Sequence, residues 1–342
     1  MRTKGSCDLK EVSVLVTGGC GFMGSEVVKQ LSHKGANVIV FDNLSSGRES
    51  YIAGFPNIHF LKGDLTDENA VTDAVNGVEF VLHLAALPFI PDSYYYPEDF
   101  FTVNVNATIR LALASVRKKV KRFVYISSSE VYGSAQYTPM DENHPTLPQS
   151  TYSVSKLAAE RVVHTMHREH DLPAVIIRPF NSFGPNITQP YIIPEIVNQL
   201  MNGKQEVKLG NIHSRRDFTF VSDTARGIIQ AMITDGINGE TINLGTGKSI
   251  QIRELVGIIA DVLSSDYSIS LDASRIRPSD VETLICDCSK ANRLLEWFPT
   301  VTFREGLDYT IEWIRKNRAN MKTPFRGWPA AYRESFDSKI SV

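Results

Sequence analysis

The amino-acid sequence predicts an α/β fold: a doubly wound parallel sheet with a smaller C-terminal α/β lobe. Three observations support this. An apolar strand, a glycine-rich turn and a helical segment follow one another near the N-terminus, an aspartate ends the next strand, and short apolar strands then alternate with helical segments. This alternation is typical of a parallel sheet with helices packed on both faces.

The composition limits the classes of function that the chain can have. Its 342 residues carry a formal net charge of −2 at pH 7, so no strong field favours binding to nucleic acid or to a membrane surface. The N-terminal apolar run VSVLV is too short for a secretion signal or a membrane span. We therefore expect a cytoplasmic protein with no nucleic-acid or membrane partner.

The cysteines and histidines predict neither a disulfide framework nor a metal site. Cys286 and Cys288 lack a second pair at zinc spacing. His164, His167 and His170 share a helix face but have no carboxylate pair or cysteine beside them, so a polar helix surface is the preferred interpretation.

The first predicted unit is a strand, a turn and a helix between residues 12 and 33. VSVLV is apolar and β-branched, as expected of a strand buried on both faces. Apolar residues recur at helical spacing from Ser25 to His33. The turn TGGCGFMG between them fits the dinucleotide-binding pattern, in which glycines allow a tight turn, a close approach to pyrophosphate and close helix packing. Its glycines are Gly18, Gly19, Gly21 and Gly24.

Asp42 ends the next strand, ANVIVFD, at the position where such domains hold adenosine. A carboxylate there accepts hydrogen bonds from ribose hydroxyls and repels a 2′-phosphate. The sequence thus predicts a Rossmann-type domain that binds NAD, although nearby Arg48 would favour NADP. The simpler alternative is a glycine-rich turn without a ligand.

Later strands also end in small or polar residues. In doubly wound sheets the ligand lies across the carboxyl ends of the strands. The residues at these ends are Asp64, Ala85, Ala86, Ser128, Glu130 and Pro179.

The predicted domain boundary lies where the alternation of strands and helices is interrupted. Residues 1–181 are predicted to form the NAD-binding domain, and the proline-rich stretch after Asn181 starts a substrate-binding lobe over residues 182–342. The INLGTG segment, near residues 241–247, is expected to return to the main sheet. The tail beyond Arg318 has no usable periodicity.

Tyr152 and Lys156 form the candidate proton-transfer pair. They are four residues apart in QSTYSVSKLAAERVV, so a helix places them on one face. A neighbouring ammonium group favours the phenolate form of tyrosine. With a hydroxyl from Ser128 on the same oxygen, this pair is suited to removing a proton from an alcohol while NAD accepts hydride.

Together these motifs resemble the extended short-chain dehydrogenases/reductases of the NAD-dependent epimerase/dehydratase family, which act on nucleotide sugars. The resemblance runs from about Val12 to about Arg315. It is carried by TGGCGFMG, FDN, GDLTD, HLAA, SSSEVYG, YSVSK, RPFNSFGP, RRDFTFVSD and INLGTG. It implies a homodimer formed through two long helices near residues 100–117 and 152–169.

The resemblance also implies roles for individual residues. Tyr152 would act on the sugar 4-hydroxyl, Lys156 on the nicotinamide ribose, and Ser128 on the same substrate oxygen. The implied contacts with NAD further include Gly18, Gly21, Phe22, Met23, Gly24, Asp42, Asn43, Ser46, Gly47, Asp64, Leu65, Leu84, Ala85, Ala86 and Pro179.

Three residues are implied to bind the nucleotide sugar: Asn181, Arg216 and Arg277. An arginine fork matches phosphate oxygens in two places. The alternative for the arginines is simple solvation at the surface.

Glu130 distinguishes the reactions open to this family. A 4-epimerase needs only a 4-keto intermediate that turns its other face to the cofactor before hydride returns, whereas a 4,6-dehydratase also needs a base at C5. The family's dehydratases carry that base at the position of Glu130, but those of the dTDP-glucose type have aspartate where this chain has Ser129. Structural alternatives for Glu130 are a helix cap near Val131 or an ion pair with an arginine.

We therefore predict a nucleotide-sugar 4,6-dehydratase, with UDP-N-acetylglucosamine or a related sugar as substrate. The remaining candidates are a 4-epimerase, a decarboxylase of the UDP-glucuronate type and, from another class, an NAD-binding regulator without turnover. Retention of both Tyr152 and Lys156 argues against the regulator.

Overall fold

A computed structural model describes residues 9–203, 206–277 and 280–317 of the chain. Seven parallel strands form the main sheet, in the order β10-β6-β5-β4-β1-β2-β3. The strands are β1 (Ser13–Thr17), β2 (Asn37–Asp42), β3 (Ile58–Lys62), β4 (Phe80–His83), β5 (Arg122–Ile126), β6 (Ala174–Pro179) and β10 (Thr241–Leu244).

The remaining strands build small sheets in the second lobe. β9 pairs with β7, β11 and β13, and β8 pairs with β12. The strands are β7 (Asn181–Phe183), β8 (Glu206–Leu209), β9 (Arg215–Phe220), β11 (Ser249–Gln251), β12 (Ser268–Leu271) and β13 (Thr283–Leu284).

The α-helices of the described residues lie in both lobes. They are α1 (Phe22–His33), α2 (Glu68–Ala74), α3 (Ile90–Ser93), α4 (Pro97–Phe101), α5 (Ala107–Lys118), α6 (Thr151–His170), α7 (Ile192–Met201), α8 (Val221–Ile233), α9 (Ile252–Leu263), α10 (Ser289–Leu295) and α11 (Phe303–Asn317).

Alternating residues of β1 face opposite cores, as expected of a strand covered on both sides. Val14 and Val16 pack against α1, α8 and α10. Leu15 packs against α2, α5 and α6. A third core in the second lobe joins α7, α9 and α11 to β8 and β9.

The lobe boundary at residue 181 is crossed more than once. β10 pairs in parallel with β6, so residues 241–244 return to the main sheet. Helix α8, although it lies after residue 181, packs in the same core as α1.

Three helix boundaries differ from the sequence expectation. Helix α1 begins at Phe22 rather than Ser25, so Gly24 lies inside it. The helix expected near 100–117 is α4, a π-helical turn over Thr102–Asn106, and α5. Near Val131 there is only a 3₁₀ turn, Ser129–Tyr132, and Ser128 caps it by accepting a hydrogen bond from the Glu130 N–H at 3.2 Å.

Candidate active site

The glycine turn leaves no space for side chains where it packs most closely. A Cβ at Gly24 would lie 2.0 Å from the Gly18 carbonyl oxygen, and one at Gly18, whose φ is +70°, would lie 2.7 Å from the Ala85 nitrogen. A Cβ at Gly21 would meet only the Gly18 oxygen, at 3.1 Å. The backbone is therefore open on the Gly21 side, directly before the N-terminus of α1, as an anion-binding turn requires.

Asp42 lies at the end of β2 beside this turn. Its carboxylate accepts the Cys20 N–H at 3.0 Å and the Leu44 N–H at 2.8 Å. Burial raises the pKa of Asp42, and these two hydrogen bonds oppose that rise. Gly47 lies against Cys20, since a Cβ there would be 2.6 Å from the Cys20 carbonyl carbon. A fixed carboxylate and an open glycine turn side by side fit the adenosine end of NAD.

The neighbouring strand ends complete this side of the site. Asn43 donates a hydrogen bond to Asp64 at 2.8 Å, which joins the ends of β2 and β3. At the end of β4, the Ala85 N–H donates to the Thr17 hydroxyl at 3.3 Å. Ser46, Leu65, Leu84 and Ala86 lie in the same strand-end segments.

The His83 ring fixes the end of β4 from below. Its nitrogens lie 2.7 Å from the Thr17 hydroxyl and 2.8 Å from the Thr108 hydroxyl. Burial, with a smaller contribution from the Lys156 charge, lowers the pKa of His83 to about 3. The ring is therefore neutral at physiological pH.

Helix α6 positions Tyr152 and Lys156. A capping box starts the helix: Ser150 and Ser153 each accept the other's backbone N–H, at 3.1 and 3.0 Å. The Lys156 ammonium group donates to the Ile126 carbonyl and lies 4.6 Å from the centre of the Tyr125 ring.

Burial shifts the pKa values of Tyr152 and Lys156 so that each side chain favours its neutral form. It raises the pKa of Tyr152 to about 12; a hydrogen bond with Ser128 opposes the rise, and the Glu130 charge adds to it. Burial lowers the pKa of Lys156 to about 7, against the attraction of Glu160.

Glu130 follows β5 and lines a cavity between the lobes. Burial raises the pKa of its carboxyl; Arg216 and Arg277 oppose the rise, and Asp280 adds to it. Within the described part of the chain, its carboxylate has no ion-pair partner within 4.0 Å. Neither structural alternative for Glu130 is seen in the described residues. Ser128, and not Glu130, caps the 3₁₀ turn, and Arg216 and Arg277 influence the Glu130 carboxyl without forming an ion pair with it.

The cavity has a volume of about 240 Å³ and receives residues from both lobes. Arg216 pairs with Asp280 at 3.2 Å, and Asp280 also accepts a hydrogen bond from Asn211 at 3.0 Å. The Asn181 side-chain oxygen is buried and has no hydrogen-bond partner among the described residues. An unpaired buried acceptor needs a donor, which a bound ligand can provide.

The cavity unites most of the predicted catalytic and substrate-binding residues. Lys156 lies outside its lining, as do the predicted adenosine contacts. The predicted residues that line it are Phe22, Met23, Ser128, Ser129, Glu130, Tyr152, Pro179, Asn181, Arg216 and Arg277.

Sequence reasoning missed several lining residues. Asn211, Arg275 and Asp280 belong to the LGN and RIRPSD segments, whose polar residues were a usable signal. Phe89 and Tyr191, whose rings are 6.3 Å apart, lie in segments without a periodic pattern.

Two further observations concern metal binding and membrane spans. Across the ranges that the structure describes, no three His, Cys, Asp or Glu side chains are grouped so that they could hold a metal ion. Among the helices of those same ranges, none combines the length and apolar character of a membrane span.

Comparisons with known proteins place this geometry among sugar-nucleotide enzymes. The sequence model of the family described as GDP-mannose 4,6 dehydratase matches residues 15–310. The dTDP-glucose 4,6-dehydratase of Streptomyces niveus is 33% identical over 90% of this chain and 94% of its own length.

Two solved structures superpose over nearly the whole chain. DesIV (dTDP-glucose 4,6-dehydratase) from Streptomyces venezuelae, with NAD and TYD bound, is 32% identical with a TM-score of 0.85, over 91% of this chain and 99% of that one. UDP-N-acetylglucosamine 4-epimerase from Methanobrevibacter ruminantium M1, in complex with UDP-N-acetylmuramic acid, is 32% identical with a TM-score of 0.84, over 90% and 99%. The predicted fold and the use of NAD are confirmed, and relatives of both reaction types are about equally similar.

Proposed function

Since this chain belongs to the extended short-chain dehydrogenase/reductase family of NAD-dependent nucleotide-sugar epimerases and dehydratases, we propose that it is a 4,6-dehydratase. The proposed substrate is UDP-N-acetylglucosamine or a related nucleotide hexose. Bound NAD would supply an acceptor for hydride from sugar C4 and return that hydride to C6. The chain's own residues would handle the protons and hold the sugar nucleotide.

Tyr152 is the proposed base for the 4-hydroxyl proton. Its phenol is protonated in the chain alone because burial raises its pKa to about 12. The Ser128 hydroxyl would hold the same substrate oxygen. Lys156, on the same helix, favours the phenolate by charge attraction when its amine is protonated, and a pKa of about 7 keeps that form populated at neutral pH.

Glu130 is the proposed base at C5. The dehydratase is preferred because the Glu130 carboxylate has no ion-pair partner among the described residues. Of the two carboxylates among the described lining residues, Asp280 is bound to Arg216 and Asn211, whereas Glu130 has no ion pair. A raised pKa makes the Glu130 carboxylate a stronger base. The same carboxyl, once protonated, is the proposed acid for loss of the C6 hydroxyl, since Ser129 cannot take that role.

A 4-epimerase is the second candidate. Ser129 favours it, because this chain lacks the aspartate that the dTDP-glucose dehydratases carry there. The similarity to a UDP-N-acetylglucosamine 4-epimerase supports it further.

Incubation with single nucleotide sugars tests the proposal. UDP-N-acetylglucosamine, UDP-glucose, GDP-mannose and UDP-glucuronate would each be added with NAD, and products followed by mass spectrometry. Loss of one water from a hexose nucleotide is the expected result. Conversion without a change in mass would indicate the epimerase, and loss of CO₂ from UDP-glucuronate would indicate the decarboxylase.

We also propose a homodimer and a cytoplasmic location. Phe101 on α4 and Val154 on α6 are 38% and 39% exposed, which supports association through these helices. Analytical ultracentrifugation with a Val154→Glu variant would test the dimer.

A further inference from the structure

A buried ion pair lies beneath the proposed catalytic segment. Arg178 on β6 and Glu160 on α6 are 4% and 2% exposed. The guanidinium group binds the carboxylate in two places, one of them an Nε–Oε2 hydrogen bond of 3.0 Å. Such a pair contributes little net stability, because the loss of hydration offsets the attraction. Another role must therefore be sought in what the pair contacts.

Both ends of the segment 127–132 are bound to this ion pair. At one end the Ser127 hydroxyl donates to Glu160 Oε2 at 2.8 Å. At the other end Arg178 donates to the Tyr132 hydroxyl at 2.8 Å, and its guanidinium carbon lies 4.7 Å from the centre of the Tyr132 ring. The residues between these two anchors are Ser128, Ser129, Glu130 and Val131.

The partners of these anchors lie on the elements that carry the rest of the site. Glu160 lies four residues after Lys156, one helical turn further along α6. Arg178 immediately precedes Pro179, which lines the cavity. The Tyr132 hydroxyl also donates to Asn243 on β10 at 2.7 Å, so the anchor is held from two strands.

We propose that the Arg178–Glu160 pair, with Ser127 and Tyr132, is a clamp that fixes Glu130 relative to Tyr152. Its members are positioning residues: Arg178, Glu160 and Tyr132 lie outside the cavity lining, and the hydroxyl of Ser127, which does line the cavity, is bound by Glu160. Without the clamp, the segment 127–132 is attached to α6 and β6 through fewer contacts, and the backbone that carries Glu130 can shift relative to Tyr152. Alignment of this kind is worth large factors in rate, since a displacement of about 1 Å costs roughly 100-fold.

This inference rests on the proposed dehydratase function and is tested with mild variants of the whole chain. Tyr132→Phe and Ser127→Ala each remove one anchor hydroxyl without leaving a buried charge unpaired. Deuterium uptake at C5 and water loss should fall roughly 10- to 100-fold, with KM for the nucleotide sugar unchanged. Oxidation at C4, followed through the absorbance of the reduced cofactor, should fall less than C5 exchange, because α6 with Tyr152 is untouched and only Ser128 shares the loosened segment.

Ser115→Ala is the matched control, since this buried hydroxyl binds the Leu111 carbonyl at 2.7 Å within α5, away from the clamp. It should leave both steps unchanged. Undiminished C5 exchange in both clamp variants overturns the inference alone. So does an equal fall in both steps together with a lower melting temperature, which indicates a merely structural pair. Absence of C5 exchange in the wild type instead overturns the proposed function and the inference with it.

Discussion

Replacing Gly24 by alanine should separate the glycine turn's two tasks, packing and phosphate binding. The new Cβ would lie 2.0 Å from the Gly18 carbonyl oxygen, where real Cβ contacts stay beyond 3.0 Å. Helix α1 must therefore move by about 1 Å away from β1. Its buried residues Val27, Val28 and Leu31 pack in the core, so the helix cannot shift freely.

Overpacking of this kind costs about 1–3 kcal/mol. The free energy of unfolding should fall by that amount in the absence of NAD. The shifted helix N-terminus should weaken NAD binding at least tenfold, which corresponds to about 1.4 kcal/mol. Urea unfolding and isothermal titration with NAD measure the two effects.

Two glycine variants serve as controls. Gly21→Ala meets only one atom, at 3.1 Å, so it should keep the stability of the free chain and lose NAD affinity. In Gly257→Ala, on α9, the only side chain met is that of exposed Tyr267, and better helix propensity should leave stability equal or higher by up to about 1 kcal/mol. Unchanged stability and unchanged NAD affinity in Gly24→Ala would refute the packing argument.

Three further perturbations have defined outcomes. Arg216→Lys loses the Nη2 contact with Asp280 and the two-pronged group proposed to bind phosphate. KM for the nucleotide sugar should therefore rise roughly 10- to 100-fold at unchanged NAD affinity in titration calorimetry; equal KM would contradict the assignment. Asp217 accepts four hydrogen bonds from Thr246, Gly247 and Cys286, and the amide of an asparagine cannot accept all four. Asp217→Asn should therefore lower the free energy of urea unfolding by about 2–4 kcal/mol. A loss below about 0.5 kcal/mol would count against this. Burial lowers the pKa of Lys156 from 10.5 to about 7, so between these two pH values the unfolded chain holds the Lys156 proton and the folded chain has released it. The free energy of unfolding without NAD should therefore rise with pH across this window relative to that of Lys156→Met. Parallel pH curves for the two proteins would disprove this.

Local patterns made the first half of the site predictable. The β1 strand, the glycine turn and Asp42 are neighbours in sequence, and the chemistry of each residue type limits where it can lie. The start of α1 was misplaced because Phe22 and Met23 stand among glycines, which are typical of turns. The Tyr152–Lys156 pair was recognisable from its helical spacing.

The cavity's second wall depends on contacts between distant segments. Asp280 reaches Arg216 through the pairing of β13 with β9, and no local pattern encodes that pairing. The direction of the Glu130 side chain likewise depends on elements far along the chain. The π-helical turn at Thr102–Asn106 is a local departure from a regular helix that periodicity cannot predict.

The use of Glu130 at C5 is tested most directly by exchange of the C5 proton in deuterated water. The wild-type chain, given NAD and a nucleotide hexose that it oxidises, should take up deuterium at C5 and lose water. Glu130→Gln should still oxidise C4 but show neither deuterium uptake nor water loss. Dehydration by this variant at the wild-type rate would contradict the account.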